Sequence, residues 1–417
     1  MHPFAAVFLA ALAAATAIRL WLAWRHMRHV RSHRVAVPAA FAESITLDAH
    51  QKAADYTVAK TRLGIGDILI GVALLLVLTF GGGLQALATF WGDIFEPNGY
   101  AYGIALVASV AVIGALVELP VSLYRTFVIE ARFGFNRMTL GLFFADLAKQ
   151  TLVGAALGLP LLFVVLWLMA RMGSLWWLYV WLTWAAFNLL VLALYPTLIA
   201  PIFNKFAPLD DASLRERVDA LLARTGFRAK GLFVMDGSKR SSHGNAYFTG
   251  FGAAKRIVFF DTLLARLAPA EIEAVLAHEL GHFRRRHVWK RVAWLFAGSL
   301  AFLAALGWLI DNPWFYSALG VQTPGTAMAL VLFFLVAPVF TFLLQPVASL
   351  YSRKHEYEAD AYAAEYASAA DLVRALVKLY KDNAATLTPD PLHSAFYDSH
   401  PPAGMRIARL ESLAARG

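Results

Sequence analysis

The 417-residue sequence contains no cysteine and is poor in charge. Without cysteine there are no disulfides, no thiolate metal ligands and no cysteine nucleophile, so any metal must be held by histidine and carboxylate side chains. Charged residues make up 16% of the chain and hydrophobic residues 59%, whereas soluble domains carry about 25% charged residues. This balance excludes an ordinary soluble enzyme and predicts that much of the chain lies in lipid.

Seven segments are apolar enough and long enough to cross a bilayer, which takes about 20 residues. They are 4–24, 67–92, 102–122, 150–171, 175–199, 289–310 and 326–350. The sequence therefore predicts a mainly α fold, in which a seven-helix membrane bundle carries a small cytoplasmic α/β insert. Its predicted parts are a five-span region 1–200, the insert 201–288, spans six and seven at 289–350, and a C-terminal segment 351–417.

Positive charge predicts the orientation of these spans. The net charge of +9 gathers beside the apolar segments, in 25–66, 123–149, 200–288 and 351–417, which favours the cytoplasmic side for all four. This distribution argues against a nucleic-acid partner and predicts a multi-pass protein of the lipid bilayer. The alanine-rich, cysteine-free composition favours a bacterial inner membrane.

The insert has its own periodicity. A helix is predicted over 212–225, strands over 231–235 and 256–260, and a third strand over 246–249. A further helix opens at Pro269 and runs through the sequence His278-Glu279-Leu280-Gly281-His282. On a helix, residues four apart share a face, so His278 and His282 can bind one ion while Glu279 addresses a metal-activated water.

Catalytic zinc uses three protein ligands and leaves one position open. The metzincin pattern, which takes its third ligand from a histidine further along, is excluded because Arg285 and Val288 stand where it needs glycine and histidine. His287 is interpreted as a membrane-surface residue. Glu356 is the better third ligand, since Asp360 lies four residues on and can accept a hydrogen bond from a ligand imidazole. His355 is a weaker alternative ligand, and Glu358 is expected to point elsewhere.

These motifs resemble the type I CAAX prenyl protease family of membrane zinc metalloproteases over nearly the whole chain. The resemblance rests on these segments: 127–130 and 134–136, Asn245-Ala246-Tyr247-Phe248, 255–264, the HELGH helix 278–282, the EYEAD segment 356–360, and 399–402 with Arg406. It implies a helix bundle that encloses a chamber and one Zn²⁺ per chain.

The resemblance also implies roles for individual residues. His278, His282 and Glu356 would ligate zinc, Glu279 would be the general base, and Asp360 would support a ligand histidine. His400 and Arg406 would line the site as catalytic groups, with His400 stabilising the oxyanion. The edge strand with Asn245, Ala246, Tyr247 and Phe248 would hold the substrate backbone.

Two readings of the substrate remain open at this point. One is a prenylated CAAX tail, and the other is a membrane-associated polypeptide cleaved for quality control without prenyl specificity. A different class, a seven-span transporter or receptor without catalysis, would make the HELGH helix accidental. Zinc content separates the protease from the transporter.

Overall fold

The structure is a computed structural model that describes residues 2–249 and 256–415. Within these residues, seven helical segments are long and apolar enough to span a membrane. They are Pro3–Ser32, Leu47–Leu78, Tyr100–Glu130, Leu140–Arg171, Gly173–Phe203, His287–Leu309 and Thr326–Tyr366. The predicted fold class is confirmed: a helical membrane protein with one small sheet.

The N-terminal half is helical throughout. Its α-helices are α1 (Pro3–Ser32), α2 (Leu47–Leu78), α3 (Gly83–Gly92), α4 (Tyr100–Tyr124), α5 (Leu140–Arg171), α6 (Trp176–Leu194) and α7 (Ala200–Phe203). Two π-helical turns, Arg125–Glu130 and Tyr195–Ile199, follow α4 and α6.

The predicted second span, 67–92, was wrong at both ends. Helix α2 starts at Leu47, where the Thr46 side chain accepts a hydrogen bond from the Ala49 amide. It stops at Leu78, and the chain turns at Gly82, whose φ of 77° is a left-handed conformation that glycine adopts without strain. Hydropathy marks where a helix meets lipid, so it missed the polar first turns of α2 and merged its end with α3.

The insert region contains a four-stranded sheet, which includes the three predicted strands and one more. Its elements are β1 (Phe206–Pro208), α8 (Ala212–Thr225), β2 (Gly231–Met235), β3 (Ala246–Thr249), β4 (Arg256–Phe260), α9 (Asp261–Leu264) and α10 (Pro269–Arg284). The strand order is β1-β2-β4-β3, with β2 and β4 parallel and the outer strands antiparallel to them. Strand β1 was not predicted, because three residues that end in proline carry no periodicity.

The C-terminal half runs from the membrane to the insert. Its helices are α11 (His287–Leu309), α12 (Pro313–Ser317), α13 (Thr326–Thr341), α14 (Gln345–Tyr366), α15 (Ala369–Asp382), α16 (Pro391–Tyr397) and α17 (Ala403–Ala414). Helices α13 and α14 are joined by the short 3-10 turn Phe342–Leu344 and act as one rod. In the most apolar stretch of this rod 61% of the residues are buried, against 6–28% in the other six spans. The rod is therefore the central support of the bundle.

Candidate active site

Helix α10 positions the HELGH motif by burying its opposite face. Pro269 occupies the first turn, and the Glu271 carboxylate accepts a hydrogen bond from the Ala268 amide at 2.7 Å, which satisfies a free helix donor. Ile272, Leu276 and Leu280 are buried in the core of the insert. The two motif histidines therefore lie on the other side of the helix, toward α14.

Gly281 lets α10 and α14 approach closely. A Cβ at this position would lie 2.9 Å from the Cα of Ala359 and 3.0 Å from the Cβ of Tyr362, closer than packed carbon atoms come. The glycine of the motif is thus required by packing, and the approach brings Glu356 of α14 opposite His278 and His282.

Three side-chain donors from these two helices converge. The Nε2 atoms of His278 and His282 are 3.3 Å apart, and they lie 3.5 and 3.4 Å from the two carboxylate oxygens of Glu356. Nitrogen and oxygen ligands about 2.1 Å from a tetrahedral zinc ion lie about 3.4 Å from one another. The donor spacing therefore fits one tetrahedral ion with a fourth position left for another group.

Electrostatics at this position also favour a cation. Oε2 of Glu356 is buried and has no hydrogen-bond partner among the described residues, although buried polar atoms are normally satisfied. Burial lowers the pKa of His278, but the adjacent carboxylates of Asp360 and Glu356 outweigh it and raise the pKa to about 9. The carboxylates of Glu356 and Asp360 beside His278 thus favour positive charge at this position, and a divalent cation would satisfy the same groups.

His278 is supported by a buried carboxylate. Its Nδ1 lies 2.8 Å from Oδ1 of Asp360, which is fully buried. Arg406 of α17 donates to both oxygens of this carboxylate, at 2.9 and 2.5 Å, and its own side chain is 6% exposed. Arg406 also lies 3.4 Å from Nδ1 of His278 and 4.0 Å from Glu356, so its shortest contacts with the site are those to Asp360.

His282 has a different support, which sequence reasoning missed. Its Nδ1 lies 3.0 Å from Nδ1 of His287, and Nε2 of His287 lies 2.9 Å from Oε2 of Glu358. With Nε2 of His282 facing Glu356, its Nδ1–H donates to His287, whose Nε2–H in turn donates to Glu358. His287 is 1% exposed, so its interpretation as a membrane-surface residue was wrong.

His355 is not among the converging donors. Within the described residues, the one cluster suited to a metal contains His278, His282 and Glu356 alone. The His355 ring instead stacks on His287, with centroids 3.9 Å apart and the planes inclined by 12°. The alternative of His355 as third ligand therefore has no geometric support.

Two further predicted residues lie around the donors. Glu279 follows His278 on α10 and is partly exposed. His400 enters from the segment before α17, and its Nε2 is 3.4 Å from Oε2 of Glu356 while 59% of its side chain is exposed. His400 is thus the exposed imidazole beside a largely buried donor set.

The segment predicted to bind substrate is an edge strand. Within the described parts of the chain, strand β3 pairs with β4 on one side and has no strand on the other, and it contacts α10. Asn245 precedes it, where its carbonyl accepts from the Phe260 amide at 3.0 Å and its side chain accepts from the Ala246 amide at 2.8 Å. Ala246 and Tyr247 lie in the strand, as does the backbone of Phe248, whose side chain is outside the described residues.

Comparisons with known proteins agree along the whole chain. Residues 26–205 match the family model described as CAAX prenyl protease N-terminal, five membrane helices, and residues 208–414 match peptidase family M48. The CAAX prenyl protease 1 homolog of Arabidopsis thaliana is 37% identical over 317 residues, which cover 75% of this chain and 74% of that protein. The homolog of Caenorhabditis elegans is 31% identical over 441 residues and covers 98% of both chains.

A solved structure extends this similarity to three dimensions. The crystal structure of S. mikatae Ste24p superposes with a TM-score of 0.91 at 30% sequence identity, and the match covers 98% of this chain and 99% of that one. The fold and the sequence therefore point to the same set of relatives.

Proposed function

The chain belongs to the CAAX prenyl protease family, with a peptidase family M48 domain, and from this premise we propose that it is a zinc-dependent endopeptidase for prenylated CAAX-type tails. That it is a metalloendopeptidase of the membrane follows from the family, which sets aside the alternative of a transporter. The observation that supports zinc is the spacing of the three donors of His278, His282 and Glu356, between 3.3 and 3.5 Å.

Each residue of the site then has a task. His278, His282 and Glu356 would hold the zinc ion, which would supply Lewis-acid chemistry for the attacking water and the scissile carbonyl. Glu279 takes the proton of the attacking water and delivers it to the leaving amine as the C–N bond breaks. Its position next to His278 on α10, outside the buried donor set, suits a group that must contact both water and substrate.

The exposed side of the site stabilises negative charge. His400 donates from Nε2 to the oxygen that becomes negative when the carbonyl is attacked, because this imidazole borders the donor set and faces open space. Arg406 acts through Asp360 and adds a buried positive charge within 4.0 Å of Glu356. We therefore assign His400 to contact with substrate and Arg406 to positioning.

The substrate adds as a strand to the free edge of β3. Main-chain hydrogen bonds give affinity for an extended peptide with little dependence on its side chains. Asn245 holds the start of this strand against β4 through the Phe260 amide, so the edge keeps a fixed position relative to α10.

One experiment separates the chemistry from the substrate class. Purified Glu279→Gln protein is expected to retain about one zinc per chain, measured by metal analysis, and to lose cleavage of a farnesylated CAAX peptide by about 10³-fold or more. Glu356→Ala is expected to lose both zinc and activity.

The matched substrate is the same peptide without its isoprenoid. Equal cleavage of both peptides by the wild-type protein would favour quality control without prenyl specificity. Undiminished turnover by Glu279→Gln would remove Glu279 from the mechanism, whichever substrate is used.

We also propose that the site faces the cytoplasm, in a bacterial inner membrane. Seven spans and the basic character of 25–66, 123–149, 200–288 and 351–417 support a topology in which these segments share one side, and the positive-inside rule would make that side cytoplasmic. A phosphatase reporter fused after Gly417 should be inactive, and a green fluorescent reporter at the same point should fluoresce. The opposite pattern would reverse the topology.

A further inference from the structure

A cleft of about 650 Å³ lies behind the metal-site helix and takes no part in the proposed reaction. One wall is the turn after α8, with Phe227 and Arg228, and the other is the end of α10, with Leu280, Phe283 and Arg284. Leu280 is two residues from His278, which on a helix is the opposite face. The cleft and the metal site therefore share α10 without sharing a surface.

Three arginines line this cleft: Arg228, Arg284 and Arg286. Among the ion pairs of residues 2–249 and 256–415, none involves any of the three. Three cations thus border one concavity, and no carboxylate of the described ranges is paired to them.

The backbone conformation at Arg286 directs the side chains of Arg286 and His287 to different sides. Its φ of 57° is a left-handed conformation, which is uncommon for a residue with a side chain. The turn separates α10 from α11, so that Arg286 borders the cleft while the next residue, His287, is buried against His282. The strained turn connects the cleft directly to the support of a metal-site histidine.

The cleft lies where a bilayer surface is expected. Arg284 and Arg286 immediately precede α11, which is the sixth span. Trp289, in the first turn of α11, is 52% exposed, and tryptophan is enriched at the level of lipid headgroups. A basic juxtamembrane cluster at this level attracts anionic lipid.

We propose that this cleft binds the phosphate-bearing headgroup of an anionic phospholipid. Guanidinium groups match phosphate oxygens in a bidentate geometry. The edge-to-face pair of Phe227 and Phe283, with ring centroids 5.6 Å apart, supplies apolar surface beside them for the glycerol and upper acyl carbons. Inorganic phosphate shares the anion chemistry but has no part that uses these rings.

The test compares bound lipid and thermal stability in the full-length protein. Native mass spectrometry and melting in detergent micelles are measured with phosphatidylglycerol, with phosphatidylcholine and with inorganic phosphate. Phosphatidylglycerol is expected to remain bound and to raise the Tm of the wild-type protein, while the other two additions have little effect. The triple variant Arg228→Gln, Arg284→Gln, Arg286→Gln is expected to bind phosphatidylglycerol about tenfold more weakly or worse.

A matched control loses the same charge elsewhere. Arg31, Arg62 and Arg132 are exposed arginines beside other spans. The triple variant Arg31→Gln, Arg62→Gln, Arg132→Gln should retain the lipid. Equal loss in the control, or full retention when the cleft arginines are replaced, would overturn the proposal. Stabilisation by inorganic phosphate equal to that by phosphatidylglycerol would overturn the lipid as ligand, and zinc content shows that each variant is folded.

Discussion

His278 and His282 lie one turn apart on α10, and each presents Nε2 to Glu356 at nearly the same distance, 3.5 and 3.4 Å. Behind the rings the two regions differ. His278 rests on Asp360, a fully buried carboxylate that Arg406 holds by two hydrogen bonds. His282 donates to His287, a neutral imidazole that accepts at Nδ1 and donates from Nε2 to Glu358.

The difference lies in how far each negative charge is from its imidazole and how well it is shielded. Asp360 touches His278 directly in a region without solvent, where electrostatic interactions are strong. Glu358 acts across an intervening ring, and its side chain is 30% exposed. The Asp360 side should therefore control metal affinity and local stability together, whereas the Glu358 side should have a smaller effect on metal affinity and little on local stability.

The largest effect is expected for Asp360→Asn. The amide keeps an oxygen for His278 but removes the charge, so zinc affinity should fall by about 100-fold in a chelator competition. It also leaves the buried guanidinium of Arg406 without its partner, which destabilises a protein by about 3–5 kcal/mol, measured by denaturation of the metal-free form. Asp55→Asn, which breaks an exposed pair with Arg34, is the control and should alter neither quantity. Wild-type zinc affinity in Asp360→Asn would show that this support is dispensable.

A smaller effect is expected for Glu358→Gln. The amide oxygen still accepts from Nε2 of His287, so the ring positions are kept and only the charge at the end of the relay is lost. Zinc affinity should fall by about tenfold, and the stability of the metal-free protein should stay near that of the wild type, because no buried cation is left unpaired. The same competition assay measures it. A loss as large as that of Asp360→Asn would make the two supports equivalent and remove the distinction between them.

Sequence reasoning found one side of this comparison and missed the other for a geometric reason. Asp360 is four residues from Glu356 on one helix, so its place beside the site follows from spacing. His287 lies five residues beyond His282, which on a continuous helix points away, but α10 ends at Arg284 and the left-handed turn at Arg286 returns the chain. Nothing in the residue types of Arg284-Arg285-Arg286 announces that turn.

The fold likewise has features that a sequence pattern predicts and features that depend on the packing of elements. Span number, three of the four insert strands and the helix that carries HELGH were predicted, because each has periodicity or length of its own. The packing role of Gly281 against Ala359 was not, since it depends on which two helices meet. The extension of α2 back to Leu47 was missed because its first turns are polar.

The smallest effect is expected for His355→Phe, and it bears on the remaining alternative for the third ligand. His355 stacks on His287 at 3.9 Å, and its Nδ1 is buried with no hydrogen-bond partner among the residues that the structure describes. Phenylalanine keeps a flat ring against His287 and adds no unsatisfied polar atom, so the relay to His282 should stay in place. Zinc affinity should remain within about twofold of the wild type, in the same competition assay. If His355 were instead a ligand, this substitution would release the metal as completely as Glu356→Ala. The imidazole of His287, which lies between those of His282 and His355, would then have to take a different position.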